Sequence, residues 1–185
     1  PLAVAHFTQR YPGVRVVLYT HVPHVMLRSL LTQEIELGVA YMPIPHPSLA
    51  MQPLYENRII AVLPHNHRLA TREQISSRDL QGEPFIGYGS DIPFSQLVQR
   101  IFGSEEEQPT LRVEVQQAHV ACAMVQAGVG VALVDELTIR GPSWSNVVAI
   151  PVAPMMHAPI HAFNLALQPM SRLAQEFVRI LKSLE

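Results

Sequence analysis

Residues 85–102 read FIGYGSDIPFSQLVQRIF, and the fold class turns on them. Phe85 and Ile86 open an apolar run suited to a buried strand, and Gly87 and Gly89 break it. Ser90 and Asp91 follow. Pro93 then starts a helix that places Phe94, Leu97, Val98, Ile101 and Phe102 on one face. A helix start leaves backbone N–H groups unpaired and carries partial positive charge, so this turn is the chain's natural anion-binding candidate. Ser90, Asp91, Phe94 and Ser95 are its candidate ligand-binding residues. A plain helix cap by Ser90 or Asp91 is the alternative reading.

Toward the N-terminus, Leu2, Val4, Phe7 and Tyr11 recur at helical spacing, and Pro12-Gly13 ends them. RVVLYT (15–20) suits a buried strand, 25–33 a helix with Leu27, Leu30 and Leu31 on one face, and ELGVAY (36–41) a second strand. Together they predict a right-handed βαβ unit with parallel strands. Residues 42–53 carry four prolines and predict a surface loop. RIIAVL (58–63) is the next strand, and the polar segment 64–84, with a helical turn at 77–80, is a crossing into a second lobe.

Toward the C-terminus, an acidic loop (103–109) precedes a strand at 111–116. A helix at 118–127, with Val120, Met124 and Ala127 inward, leads to a strand at 129–134, Gly128 and Gly130 bracketing the junction. Another strand (147–152) meets PVAPMMHAP, a second crossing. A strand at 160–167 and a helix capped by Ser171, with Leu173, Phe177, Ile180, Leu181 and Leu184 on one face, return to the first lobe. The expected architecture is α/β: two Rossmann-like lobes with two crossovers, residues 1–63 plus 157–185 forming lobe one and 64–156 lobe two.

Of 185 residues, 48% are hydrophobic and 15% charged, with net charge −2, an ordinary globular composition. The 13 basic residues are scattered, which argues against nucleic-acid binding by this segment. Cys122 is the single cysteine, so an intrachain disulfide cannot form and a reducing cytoplasm is expected. No apolar run reaches the roughly 18 to 20 residues of a membrane span, and no membrane partner is expected. The chain opens as if inside a helix and reads as a fragment of a longer polypeptide.

Other motifs are weaker. The pairs His21/His24, His65/His67 and His157/His161 have no carboxylate or cysteine to complete a zinc set, so no metal and no cofactor is expected. AGVGVALVD (127–135) has a Gly-x-Gly, but helix precedes it and strand follows, the reverse of a dinucleotide loop. GYGSD resembles a nucleophile elbow except that Ile92 stands where the second glycine belongs. Ser90, His119 and Asp135 are the polar trio an enzyme would have to use. Asp135-Glu136 end a buried strand and are either ligand contacts or a helix start. His119 is either a site group or a cap, and Cys122 is a small core residue.

The chain resembles the effector-binding domain of the LysR-type transcriptional regulators. The text that carries the resemblance is AHFTQRYPGVRVVLY, LRSLLTQEIELGVAY, PLYENRIIAVLPHNHRLA, AMVQAGVGVALV and PMSRLAQEFVRIL, in that order. The resemblance implies a type 2 periplasmic-binding-protein fold and a non-catalytic, cytoplasmic regulator, a homodimer or homotetramer. A small-molecule effector would bind in a cleft between lobes, and DNA would be bound only through an N-terminal winged helix-turn-helix absent from this chain. A transporter's solute-binding protein of the same fold is the alternative. Asp135 stands where the family usually has proline. Thr20, His21 and Tyr41 are the candidates from lobe one, opposite Ser90, Asp91, Phe94, Ser95, His119 and Asp135. CAMVQAGVGVALVDE and GYGSDIPF look most similar to the branch that regulates opine and amino-acid metabolism. The family's first strand would precede Pro1, so lobe one is expected to lack a strand, with weak binding or aggregation of residues 1–185 as the consequence.

Overall fold

Aliphatic runs form strands and amphipathic stretches form helices in two separate units. The computed structural model describes residues 1–41, 46–103, 108–140 and 144–184. Part of the proline-rich loop (42–45) and of the acidic loop (104–107) lies outside the described residues. Unit 1 is Pro1–Glu56 with Pro159–Glu185, and unit 2 is Asn57–Ala158.

In unit 1, strands β1 (Gly38–Tyr41), β2 (Leu49–Tyr55) and β9 (Ile160–Leu165) form an antiparallel sheet in the order β1-β9-β2. Helix α2 (Pro23–Leu31), opened by Pro23, lays Met26 and Leu30 on Phe163 of the central strand. Helix α1 (Leu2–Arg10) packs on α7 (Arg172–Lys182) through an edge-to-face Phe7–Phe177 pair with centroids 5.3 Å apart. Ser171 caps α7, its Oγ accepting the Ala174 N–H at 3.1 Å.

Three expectations change here. RVVLYT is not a strand and forms no parallel βαβ unit; Val17, Leu18 and Tyr19 are 55%, 76% and 51% exposed. Strand propensity needs a ladder partner to act on, and among the described residues this segment has none. Residues 49–55 are a strand despite Pro53, because β2 lies at the sheet edge and its register shifts after Pro53. The inward face of α7 carries Ala174 and Val178, while Leu173 is 38% exposed.

Unit 2 holds β3 (Ile59–Pro64), β4 (Ile75–Ser76), β5 (Pro84–Tyr88), β6 (Thr110–Val115), β7 (Val131–Asp135) and β8 (Val147–Ala153). They form one mixed sheet in the order β4-β8-β3-β7-β5-β6. β3 was expected on the first lobe's side of the crossing but pairs antiparallel with β7 and β8, so it belongs to this sheet. Residues 59–63 and 131–135 are buried throughout, which explains why they read as continuous apolar runs. The helices are α3 (Ser77–Leu80), α4 (Pro93–Phe102), α5 (Ala118–Gln126) and α6 (Glu136–Arg140). α5 turns Ala121, Cys122 and Val125 inward rather than Val120, Met124 and Ala127. Close packing on β7 favours the face with small residues.

The chain enters and leaves unit 2 along paired segments. Ile59 N–H donates to Met156 O at 2.9 Å, and Ala158 N–H to Asn57 O at 2.6 Å. At the head of β7, Gly130 runs against β5. A Cβ there would lie 2.1 Å from Pro84 O, a clash with backbone that cannot move without breaking the β5–β7 pairing. Gly130→Ala should therefore lower unfolding stability by about 2 kcal/mol or more, measured by urea denaturation. A change below about 0.5 kcal/mol would contradict this packing.

Candidate functional site

In the turn between β5 and α4, Gly89 supplies backbone without a side chain. A Cβ on Gly89 would meet Asp91 Oδ1 at 2.7 Å and Glu114 Oε1 at 3.2 Å. Glycine thus lets two carboxylates converge over the turn. Ser90 and Asp91 are exposed, and Ile92 N–H closes the turn onto Gly89 O at 3.0 Å. Phe94 is buried edge-to-face on Tyr88, with centroids 5.1 Å apart. Ser95, in the first turn of α4, is 4% exposed and its Oγ is buried without a hydrogen-bond partner. A buried hydroxyl left unpaired costs about 1–3 kcal/mol. Such a group calls for an explanation, and a ligand acceptor is one.

Asp135 has a different role. It is 1% exposed, and its carboxylate accepts from Asn57 Nδ2 at 3.2 Å, Thr138 N–H at 2.9 Å and Thr138 Oγ1 at 2.6 Å. It is the cap of α6, with Thr138 at the third helical position. Of the two readings of Asp135-Glu136, the helix start is the one realised. Tyr88 donates its hydroxyl to Leu133 O at 3.1 Å, and burial, then the Asp135 charge, pushes its phenol well above the usual value. Burial, then Asp135, also pushes the Cys122 thiol up to about 12, so it carries almost no thiolate at neutral pH. With Asp135 committed to its cap and Ser90 and His119 exposed, the polar trio has no carboxylate free to orient a base.

In unit 1, Thr20 and His21 are exposed just before α2, and His21 stacks on Tyr19 at 5.3 Å and 9°. Tyr41 ends β1 opposite Ile160 of β9. His161 on β9 has a buried Nδ1 without a hydrogen-bond partner. Sequence reasoning missed Glu114, an outward residue of the LRVEV alternation, and Asn57, whose partner is 78 positions away. The Asp-x-x-Thr spacing of residues 135–138 is a local sign of the cap. Among the described residues, no group of three or more His, Cys, Asp or Glu could hold a metal ion. Among them, too, no helix is long and apolar enough to cross a membrane.

A family model described as the LysR substrate binding domain matches residues 1–184. The transcriptional activator protein LysR of Escherichia coli K12 is 27% identical over 183 residues, covering 96% of this chain and 57% of its own length. This chain therefore spans a little over half of that relative. The regulatory domain of Synechocystis CcmR, solved in complex with 2-PG, superposes with a TM-score of 0.83 at 20% identity, covering 100% of this chain and 89% of that one. The BenM effector-binding domain with its effector benzoate superposes with a TM-score of 0.78 at 22% identity, covering 100% and 84%. The shared fold is that of type 2 periplasmic-binding proteins.

Removing the Asp135 carboxylate leaves the buried Asn57 donor and the part-buried Thr138 donors unsatisfied. Asp135→Ala should lower stability by about 2–4 kcal/mol, read from chemical denaturation. A variant as stable as the parent would show that the cap is dispensable.

Proposed function

The chain belongs to the LysR substrate binding domain family, regulatory rather than enzymatic, and on that premise we propose that it senses a small amino-acid-like or opine-like effector. The observation that carries the effector site is the buried, unpartnered Ser95 hydroxyl at the start of a ten-residue helix. A ligand carboxylate placed there would accept from that hydroxyl, with the helix dipole favouring its charge. An ammonium group on the same ligand would meet Asp91 and Glu114, the carboxylates that converge on Gly89. Phe94 gives an apolar wall. Thr20, His21 and Tyr41 remain in the proposal as first-unit residues whose replacement weakens affinity, and His119 as an exposed residue of the second unit. Asp135 acts only by holding α6.

In the full-length polypeptide, effector binding would shift how an attached winged helix-turn-helix sits on its operator, within a cytoplasmic homodimer or homotetramer. Linkage permits that shift only when the effector's affinity differs between the two states.

Calorimetric titration of amino acids and opines into the full-length polypeptide and its Ser95→Ala and Asp91→Ala variants tests the site. Ser95→Ala removes an unpaired buried hydroxyl, so the ligand-free protein should be as stable as the parent or more so. Its affinity for the tightest ligand should nevertheless fall about tenfold. Asp91→Ala should weaken amino acids more than the corresponding N-acetyl derivatives. Unchanged affinity in both variants would remove the site from this turn.

A further inference from the structure

Unit 2 holds a cavity that the effector reading does not use. It measures about 290 Å³ and lies against the β3–β8 face beside α6. Ile60, Ala149, Pro151, Val152, Ile139 and Met155 give it apolar walls, and Arg58, Glu136, Arg140 and Gln74 also line it. Ala149 and Pro151 stand opposite Val62 and Ile60 in the register. Both are exposed, so this stretch of sheet offers apolar surface to an occupant. Met155, 59% exposed, is an unbranched side chain able to adjust to different shapes.

The charged groups have a definite geometry. Arg58 donates from Nε and Nη2 to the two oxygens of Glu136 at 2.9 and 3.0 Å, and Arg140 Nη2 donates to Glu136 Oε1 at 3.1 Å. Two guanidiniums around one carboxylate leave a net positive charge and unused N–H donors on both arginines. The Arg58 hydrogen bond, joined by that from Arg140, holds the Glu136 carboxyl below its usual range, so the cluster keeps this charge state at neutral pH. The arginine side chains are 50% and 58% exposed. Exposed ion pairs contribute little to stability, so loss of one arginine leaves the fold nearly unaffected.

We propose that this cavity is a second small-molecule site, selective for a compact organic monocarboxylate with a branched or aromatic apolar body. The acid would take the free guanidinium donors in a charge-assisted pair, and the body would cover Ile60, Ala149 and Pro151. A volume of about 290 Å³ suits a small organic acid. A neutral amide of the same shape keeps the apolar contact and loses the charge pairing.

The test is a titration of the chain, labelled at isoleucine and methionine methyl groups, with phenylacetate and with phenylacetamide, followed by NMR. Phenylacetate should shift the Ile139 and Met155 methyls saturably while phenylacetamide leaves them nearly unmoved. Arg140→Gln should weaken the acid about tenfold or more, Ala149→Phe should abolish the shifts by filling the cavity, and Ser95→Ala should leave them unchanged. Both replaced side chains, Arg140 and Ala149, are exposed, so the variants are expected to fold. No saturable shift up to about 10 mM, equal responses to acid and amide, or undiminished binding by Arg140→Gln would each overturn the assignment. Loss of the shifts in Ser95→Ala would assign them to the effector site instead.

Discussion

Two consecutive pairs hold unit 2 where the chain enters it: Asn57 with Asp135, and Arg58 with Glu136. The first is buried and the second exposed. A carboxylate removed from water is tolerated only when its oxygens are hydrogen-bonded, and Asp135 meets this with Asn57 and both donors of Thr138. Glu136 N–H adds a backbone bond to Arg58 O at 2.9 Å. The start of β3, the end of β7 and the start of α6 are thereby fixed to one another. Few other arrangements of these residues would satisfy a buried charge.

The position of β7 carries through to the β5–α4 turn. β5 runs parallel to it, Gly130 allows the two backbones to approach, and Tyr88 bonds to Leu133 O at 3.1 Å. Phe94 then packs on Tyr88, which sets the first turn of α4 and with it the buried Ser95 hydroxyl. The β5–α4 turn is thus the end of a chain of contacts that begins at a buried, hydrogen-bonded carboxylate. Asp135 looked like a ligand contact because strand ends in open α/β sheets often are. In the structure its carboxylate caps α6 and holds Asn57.

Residues 85–102 were legible because their cues are local. A glycine turn, a proline and a helical apolar period place the start of β5 within a residue and α4 at its observed bounds, although β5 runs on through Gly87, expected to break it, to Tyr88. Features that depend on distant partners were not legible. RVVLYT has every strand preference but no ladder partner among the described residues. Pro53 suggested a loop, yet an edge strand accommodates it. Glu114 joins Asp91 only because β6 pairs with β5, and Asn57 reaches Asp135 across 78 positions. The inward face of α5 was displaced from the expected one because small residues, rather than the bulkiest, make the close contact with the sheet. The family resemblance supplied what periodicity could not, the order of elements as a whole.

The central claim is that the β5–α4 turn receives the anionic group of an effector. Hydrogen exchange read by mass spectrometry on the chain, with and without a saturating amino acid chosen as the tightest binder of a panel, addresses it directly. The account predicts slower exchange across residues 89–98, where the turn and the first helical N–H groups lie. Saturating ligand that leaves those amides unchanged while protecting other segments would contradict it.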